Sequence, residues 1–455
     1  MLSSRGRTSS YGTRGGRWAP RGKGHHYSKP KGPPKPDIGK DPLGQHLVEY
    51  KNADLTRPSS ITSPDATISN CSYVASYTWM NRENPTILVP GEPPLWKPLN
   101  KPRRLEEDKG TYYRDPNAAR YPTYPTEPAV QAIFRTNKDF ETAAVNIFAC
   151  GSTLGNLLRF VRNDDKPYRF LVEAVGKTVF FVRKENDPKE LIEDVRGFGH
   201  TFPEAYTEWP RDVQGSESHQ RLVQYTFGQH NCIVRFESDG QLFSVTNHEH
   251  VQNPRSGLTP SSSESDEETL IGAFIGASVG NVSSRDGVCL RIREGGSVVP
   301  QDSIFDLKTR SNRWGEFNVD NVMPLLYIKQ IPNFIIAYHD GAGTFQKDDI
   351  HVKSVEKDLQ KWETDHRTEL NRLSILLEKI TEIALKHREP LEIYSSEKGL
   401  LQIHKQKEGG THVLPLEWRK KWAGEGSDSD EGGGSDEGGH YTRCSADGCG
   451  YCGKC

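Results

Sequence analysis

The chain has 455 residues, a formal net charge of −2 and 34% hydrophobic residues. That balance excludes a polycation that coats nucleic acid along its whole length. No stretch approaches the roughly 18 apolar residues of a membrane-spanning helix, and the basic N-terminus has no apolar segment of the kind a secretory leader needs.

Residues 1–36 hold nine Lys or Arg and no acid, in runs such as Arg5-Gly6-Arg7 and Arg14-Gly15-Gly16-Arg17, with Tyr11 and Tyr27 between them. A segment of that composition cannot bury a core, so residues 1–65 are expected to be a disordered basic tail. Arginine with glycine and an occasional aromatic suits RNA, where guanidinium meets phosphate and stacks on bases. A solubilising tail is the plainer reading. Residues 66–135, rich in Pro, Asn and Thr, predict an extended arm laid on the domain that follows.

From residue 136 to 422 the pattern becomes ordered. Val145 to Ala149 reads as a strand, and Gly151-Ser152-Thr153 starts a helix that runs to Arg162. Tyr168 to Ala174 and Thr178 to Arg183 predict a hairpin turning at Gly176-Lys177, and Leu222 to Phe227 with Ile233 to Ser238 predict another. Residues 252–269 are a Ser- and acid-rich insertion with a phosphorylation-prone composition. Ile304 to Lys308 and Phe334 to Tyr338 read as strands. Val355 to Lys386 reads as one long amphipathic helix with Leu359, Trp362, Leu370, Leu373, Leu377 and Ile380 on one stripe. Mixed strands and helices in this order predict an α+β fold, a central mixed sheet flanked by helices.

Residues 423–440 are an acidic Gly/Ser linker, and residues 441–455 a Cys-rich tail. Cys444, Cys449, Cys452 and Cys455 either form a Zn²⁺ tetrahedron or remain reduced thiols after an acidic tether. The remaining cysteines, Cys71, Cys150, Cys232 and Cys289, are scattered. Scattered thiols without a disulfide framework predict a reducing nuclear or cytoplasmic setting. The tails offer surfaces for a protein partner, and no membrane association is expected.

The most informative constellation lies on two strands. Cys232 to Gly240 ends in Glu237-Ser238-Asp239, and Ser303 to Arg310 contains Asp306-Leu307-Lys308. Side chains alternate along a strand, so Glu237 and Asp239 share a face, as do Asp306 and Lys308. If the strands adjoin, three carboxylates and an ammonium converge, an oxygen-rich set suited to Mg²⁺ or Mn²⁺. Lys308 would then orient a water or stabilise charge developing on phosphorus.

These pieces, with Thr309 after the lysine, resemble the PD-(D/E)XK nuclease superfamily, and more closely the DXO-type decapping exoribonucleases in a divergent, fungal-type form. The resemblance covers about residues 195–345. It implies a nuclease-like domain, a Mg²⁺ or Mn²⁺ site at Glu237, Asp239 and Asp306, and removal of caps or nucleotides from RNA 5′ ends. It also implies a catalytic glutamate on an upstream helix. The counterpart stretch is Gly199-His200-Thr201-Phe202-Pro203-Glu204, with Pro203 where the family has its acid and Glu204 one place late. Lys308 and Glu204 are thus the expected catalytic pair. Arg196, Arg221, Arg310 and Gln330 are the candidates for substrate contacts. The alternative is a catalytically inactive protein of the same fold that binds RNA or acts as a scaffold.

Overall fold

The apolar, β-branched runs fold into two sheets with helices packed against them, the mixed α+β architecture expected from the order of elements. A computed structural model describes residues 34–56, 65–164, 166–243, 289–407 and 410–425. The strands run β1 (His46–Lys51), β2 (Ile68–Met80), β3 (Thr86–Pro90), β4 (Leu95–Trp96), β5 (Ile147–Cys150), β6 (Tyr168–Val175), β7 (Thr178–Arg183), β8 (Thr207–Glu208) and β9 (Ser216–Phe227). They continue as β10 (His230–Ser238), β11 (Gly240–Gln241), β12 (Arg291–Gly295), β13 (Ile304–Ser311), β14 (Asn333–His339), β15 (Ile350–Ser354), β16 (Leu391–Ser395) and β17 (Leu400–Lys405). The helices are α1 (Pro116–Arg120), α2 (Glu127–Thr136), α3 (Gly151–Val161), α4 (Thr201–Tyr206), α5 (Met323–Lys329), α6 (Glu356–Asp365), α7 (Arg367–His387) and α8 (Leu416–Ala423).

Among the described residues, eleven strands form one sheet in the order β1-β17-β16-β6-β7-β5-β10-β9-β2-β3-β12. Six form the other, in the order β15-β14-β13-β11-β4-β8. The large sheet is mixed: β10 runs parallel to β5 and antiparallel to β9. One face buries Leu154, Leu157 and Phe160 of α3 together with Leu370, Leu373 and Leu377 of α7. The opposite face buries Ala129, Ile133 and Phe134 of α2 and Trp422 of α8. A third cluster around Phe202, Phe305 and Phe345 fills the small sheet.

Three expectations are corrected. Residues 66–135 are not an arm: β2 pairs with β9 along most of its length, and Tyr77 and Trp79 are buried in the core. Its Ser, Thr and Asn residues concealed a strand whose alternate positions bury aromatics. The tail expected through residue 65 already contains β1, which pairs with β17 at the sheet edge. The long helix is two helices broken at His366, whose ring bonds the Trp362 carbonyl at 2.9 Å and stacks on the Trp362 ring. The same carbonyl also accepts the His366 amide at 3.0 Å, so the first helix closes on this residue. The basic segment before residue 34, the 252–269 insertion and the Cys444–Cys455 tail lie outside the described residues.

The shortest of the chain's passages between the two sheets lies at Asp239. After β10 the chain passes Asp239 and enters β11, which pairs antiparallel with β13. At Gly240 a Cβ would sit 2.7 Å from the Pro94 carbonyl oxygen and 2.8 Å from Phe305 Cε1. Backbone on one side and a packed aromatic on the other leave it no room. Gly240→Ala should therefore lower stability by about 1–3 kcal/mol, the range for overpacking a filled core. The check is an earlier urea midpoint with an unchanged slope.

Candidate metal and phosphate site at the sheet junction

The β11–β13 register pairs Gly240 with Phe305 and Gln241 with Ile304. Carried one step back, it sets Asp239 opposite Asp306. Asp239 Oδ2 accepts the Leu307 backbone N–H at 2.6 Å, which fixes the carboxylate against the neighbouring strand. Lys308 Nζ donates to Asp306 Oδ1 at 2.7 Å and to the Leu307 carbonyl at 2.8 Å, and lies 3.9 Å from Asp239 Oδ2. The three residues at this junction are thus positioned by strand pairing as well as by charge.

A second ammonium, absent from the sequence reading, completes the group. Lys329, the last residue of α5, donates to Asp306 Oδ2 at 3.0 Å. Its position closing a short helix reads in sequence as an ordinary complement to the helix dipole. Only the tertiary fold shows that it turns onto β13. Asp306 is 8% exposed at its side chain, Lys329 17% and Lys308 45%.

Burial works to raise the Asp306 pKa, but the two lysines outweigh it and hold the carboxyl below its ordinary value. Burial and the Asp306 charge push Asp239 upward, against the opposing pull of both lysines and the Leu307 amide. Burial lowers Lys308, yet Asp306 and Asp239 more than reverse this, so it stays an ammonium. Glu237 is open to solvent at the end of β10 but set among other acids. Burial of its surroundings and the Asp239 carboxylate push it up to about 7. Solvent at this exposed carboxylate screens part of the effect.

The other expected site residues lie apart from this group. Glu204 is exposed on α4, where its charge acts on His200 and Tyr112. Their rings stack with centroids 3.5 Å apart. Asp108 holds the first turn of α4 by accepting from the His200 and Thr201 amides. Arg196 is exposed in the loop before α4. Arg221 is fully buried, so it is an internal brace rather than a substrate contact. Its Nε donates to Gln301 Oε1 and its Nη2 to the Val299 carbonyl, each at 2.6 Å, and the guanidinium lies over Tyr73. Arg310 donates to the Trp314 and Gly315 carbonyls and fixes the turn after β13. Gln330 is also structural: it ends α5 in a left-handed conformation and donates to the Tyr327 carbonyl. Among the described residues, no three His, Cys, Asp or Glu side chains converge closely enough to hold a metal.

A family model described as a domain of unknown function (DUF8563) matches residues 52–400. No curated protein matches the chain. Among solved structures, Candida albicans Rai1 in complex with pU5 and Mn²⁺ aligns with a TM-score of 0.52 and 8% identity, over 83% of this chain and 99% of that one. S. pombe Rai1 in complex with 3′-FADP aligns with a TM-score of 0.50 and 12% identity, over 79% of this chain and 99% of that one. At such identities the likeness is one of fold, and this chain shares the fold of the Rai1 structures.

Glu237 gives a pH test. In the folded chain burial of its surroundings and the Asp239 charge push Glu237 up to about 7, above the 4.5 of the unfolded chain. The relative stability it contributes is complete below the unfolded value and is lost as pH rises through the folded one. Glu237→Gln should flatten that fall, measured as urea-unfolding free energy across the same window.

Proposed function

The chain belongs to the DUF8563 family, and we propose that its sheet junction is a divalent-cation-dependent hydrolytic site acting on RNA 5′ ends. One observation carries the reading: Asp239 and Asp306 face each other across paired strands, with the Lys308 ammonium 2.7 Å from Asp306. The shared fold with Rai1 supports RNA as the substrate class, as does the basic composition of residues 1–36.

Asp239, Asp306 and Glu237 are hard oxygen donors of the kind Mg²⁺ or Mn²⁺ takes, but as they stand the three do not converge and would have to close up to fit an ion. The fit requires Lys329 to leave Asp306, because both carboxylate oxygens otherwise accept from ammonium groups. Once bound, the ion would supply Lewis acidity to a phosphate and to the attacking water. Lys308 contributes through its charge. Its raised pKa keeps it protonated, so it donates to an oxygen on which negative charge grows and does not act as a base. Asp306 aims that ammonium, and the Leu307 amide holds Asp239 in place.

A second reading, a non-catalytic RNA-binding or scaffolding protein, is favoured by the position of Glu204 beside His200 rather than at the junction. The readings separate on Mn²⁺-dependent release of nucleotides from 5′-phosphorylated and capped RNA. Under the hydrolytic reading, Asp306→Asn and Lys308→Ala each reduce release by about 100-fold or more, the scale of losing a transition-state donor. Equal release by wild type and both variants, with RNA binding retained, would leave the binding reading alone.

A further inference from the structure

Two residues of β9 are buried with donor groups that no protein acceptor meets. His219 is 1% exposed and Arg221 0%. Among the described residues, neither His219 Nε2 nor Arg221 Nη1 has a hydrogen-bond partner. Side chains two apart on a strand leave the same face, roughly 7 Å from each other along it. That face of β9 carries Val223 and Tyr225 into the core beneath α3 and α7.

The surrounding bonds assign the protons. Thr78 Oγ1 accepts the Glu92 amide at 3.1 Å. It lies 2.9 Å from His219 Nδ1 but 3.5 Å from the Glu92 carbonyl, so its hydroxyl proton goes to Nδ1. Nδ1 therefore accepts, and the hydrogen of the imidazole sits on Nε2. Burial and the Arg221 charge hold the ring well below the usual histidine range, so it is neutral. Arg221 donates from Nε to Gln301 Oε1 and from Nη2 to the Val299 carbonyl, which leaves the hydrogens of Nη1.

The guanidinium also lacks a counter-charge. Ser76 and Thr78 of β2, and Phe236 and Ser238 of β10, stand opposite Arg221 and His219, and none is acidic. Ser76 and Ser238 already donate to the Pro90 and Gly240 carbonyls. The carboxylate that acts on Arg221, Asp302, is exposed and has less effect than Tyr73 or Cys71. Burial pulls the Arg221 pKa down to about 10. A buried charge of this kind is strongly disfavoured unless something pairs it.

We infer that Arg221 and His219 form an internal site for a small monovalent anion of the chloride class, held between Nη1 and Nε2. An acceptor is what both groups require. A water would take up the hydrogens and leave the positive charge, whereas a halide answers both. Phosphate fits less well, being larger and carrying up to two charges against one guanidinium in surroundings closed to solvent. The site is tied to the junction from two sides. Ser238 pairs with His219 and precedes Asp239, while Gln301 relays the Arg221 bond to the Gln330 carbonyl at the end of α5. A bound halide thus steadies the strand end and the helix end from which Asp239 and Lys329 project. The inference is independent of the hydrolytic reading.

The test is urea unfolding of the full chain at constant ionic strength, with chloride exchanged stepwise for gluconate, an anion too large for the site. A ligand that binds only the folded chain stabilises it by mass action, so each tenfold rise in chloride above its dissociation constant should lower the unfolding constant by about tenfold. In Arg221→Met that dependence should shrink to about twofold or less. His219→Phe keeps the bulk of the ring and removes the N–H. It should weaken chloride binding about tenfold or more, the scale of a hydrogen bond to a charged group, and it serves as the reporter if Arg221→Met does not fold. In wild-type crystals soaked in bromide, the anomalous signal should peak between Arg221 Nη1 and His219 Nε2. Equal unfolding constants in chloride and gluconate, chloride dependence of the same size in wild type and variants, or an anomalous map without that peak would each overturn the site and leave a water in its place.

Discussion

A missing side chain at Gly240 lets two sheets share one chain. At that point the backbone passes between the Pro94 carbonyl and the Phe305 ring, and any Cβ would collide with both. Because the passage is so tight, β10 can deliver Asp239 at the end of the large sheet and still pair the next residues with β13. The register of that pairing, rather than the mutual attraction of the charged groups, brings two acids of like charge together. Left alone, such a pair would repel, and the lysines of β13 and α5 offset the repulsion.

The balance of forces at Asp306 shows which effect wins. Burial alone would favour a neutral acid, and a neighbouring carboxylate would favour it further. Two ammonium groups at 2.7 Å and 3.0 Å reverse the sign. Asp239, held by a single backbone amide and a more distant lysine, remains on the other side of the balance. Two acids a strand apart therefore differ in character because their neighbours differ, and the difference follows from strand pairing and helix docking.

Much of this was legible in the sequence. The apolar runs into Glu237-x-Asp239 and Asp306-x-Lys308 located β10 and β13, and the alternation of strands and helices indicated the mixed architecture. The misses have physical reasons. The polar residues of β2 hid a strand whose aromatics face the core. The two helices meet at His366, a break that no periodicity reveals. Arg221 looked available for substrate because charge usually marks surface, yet its guanidinium is buried and engaged by an amide oxygen, a carbonyl and an aromatic face. Lys329 reaches Asp306 only because two glycines on another helix make room, a relation that is local nowhere in the chain.

The two acids meet where β10 of the large sheet runs on into β11 of the small one, across Ser238, Asp239 and Gly240. Their gap is therefore a caliper for how the sheets are tilted against each other. A tilt of the smaller sheet against the larger one therefore changes that gap.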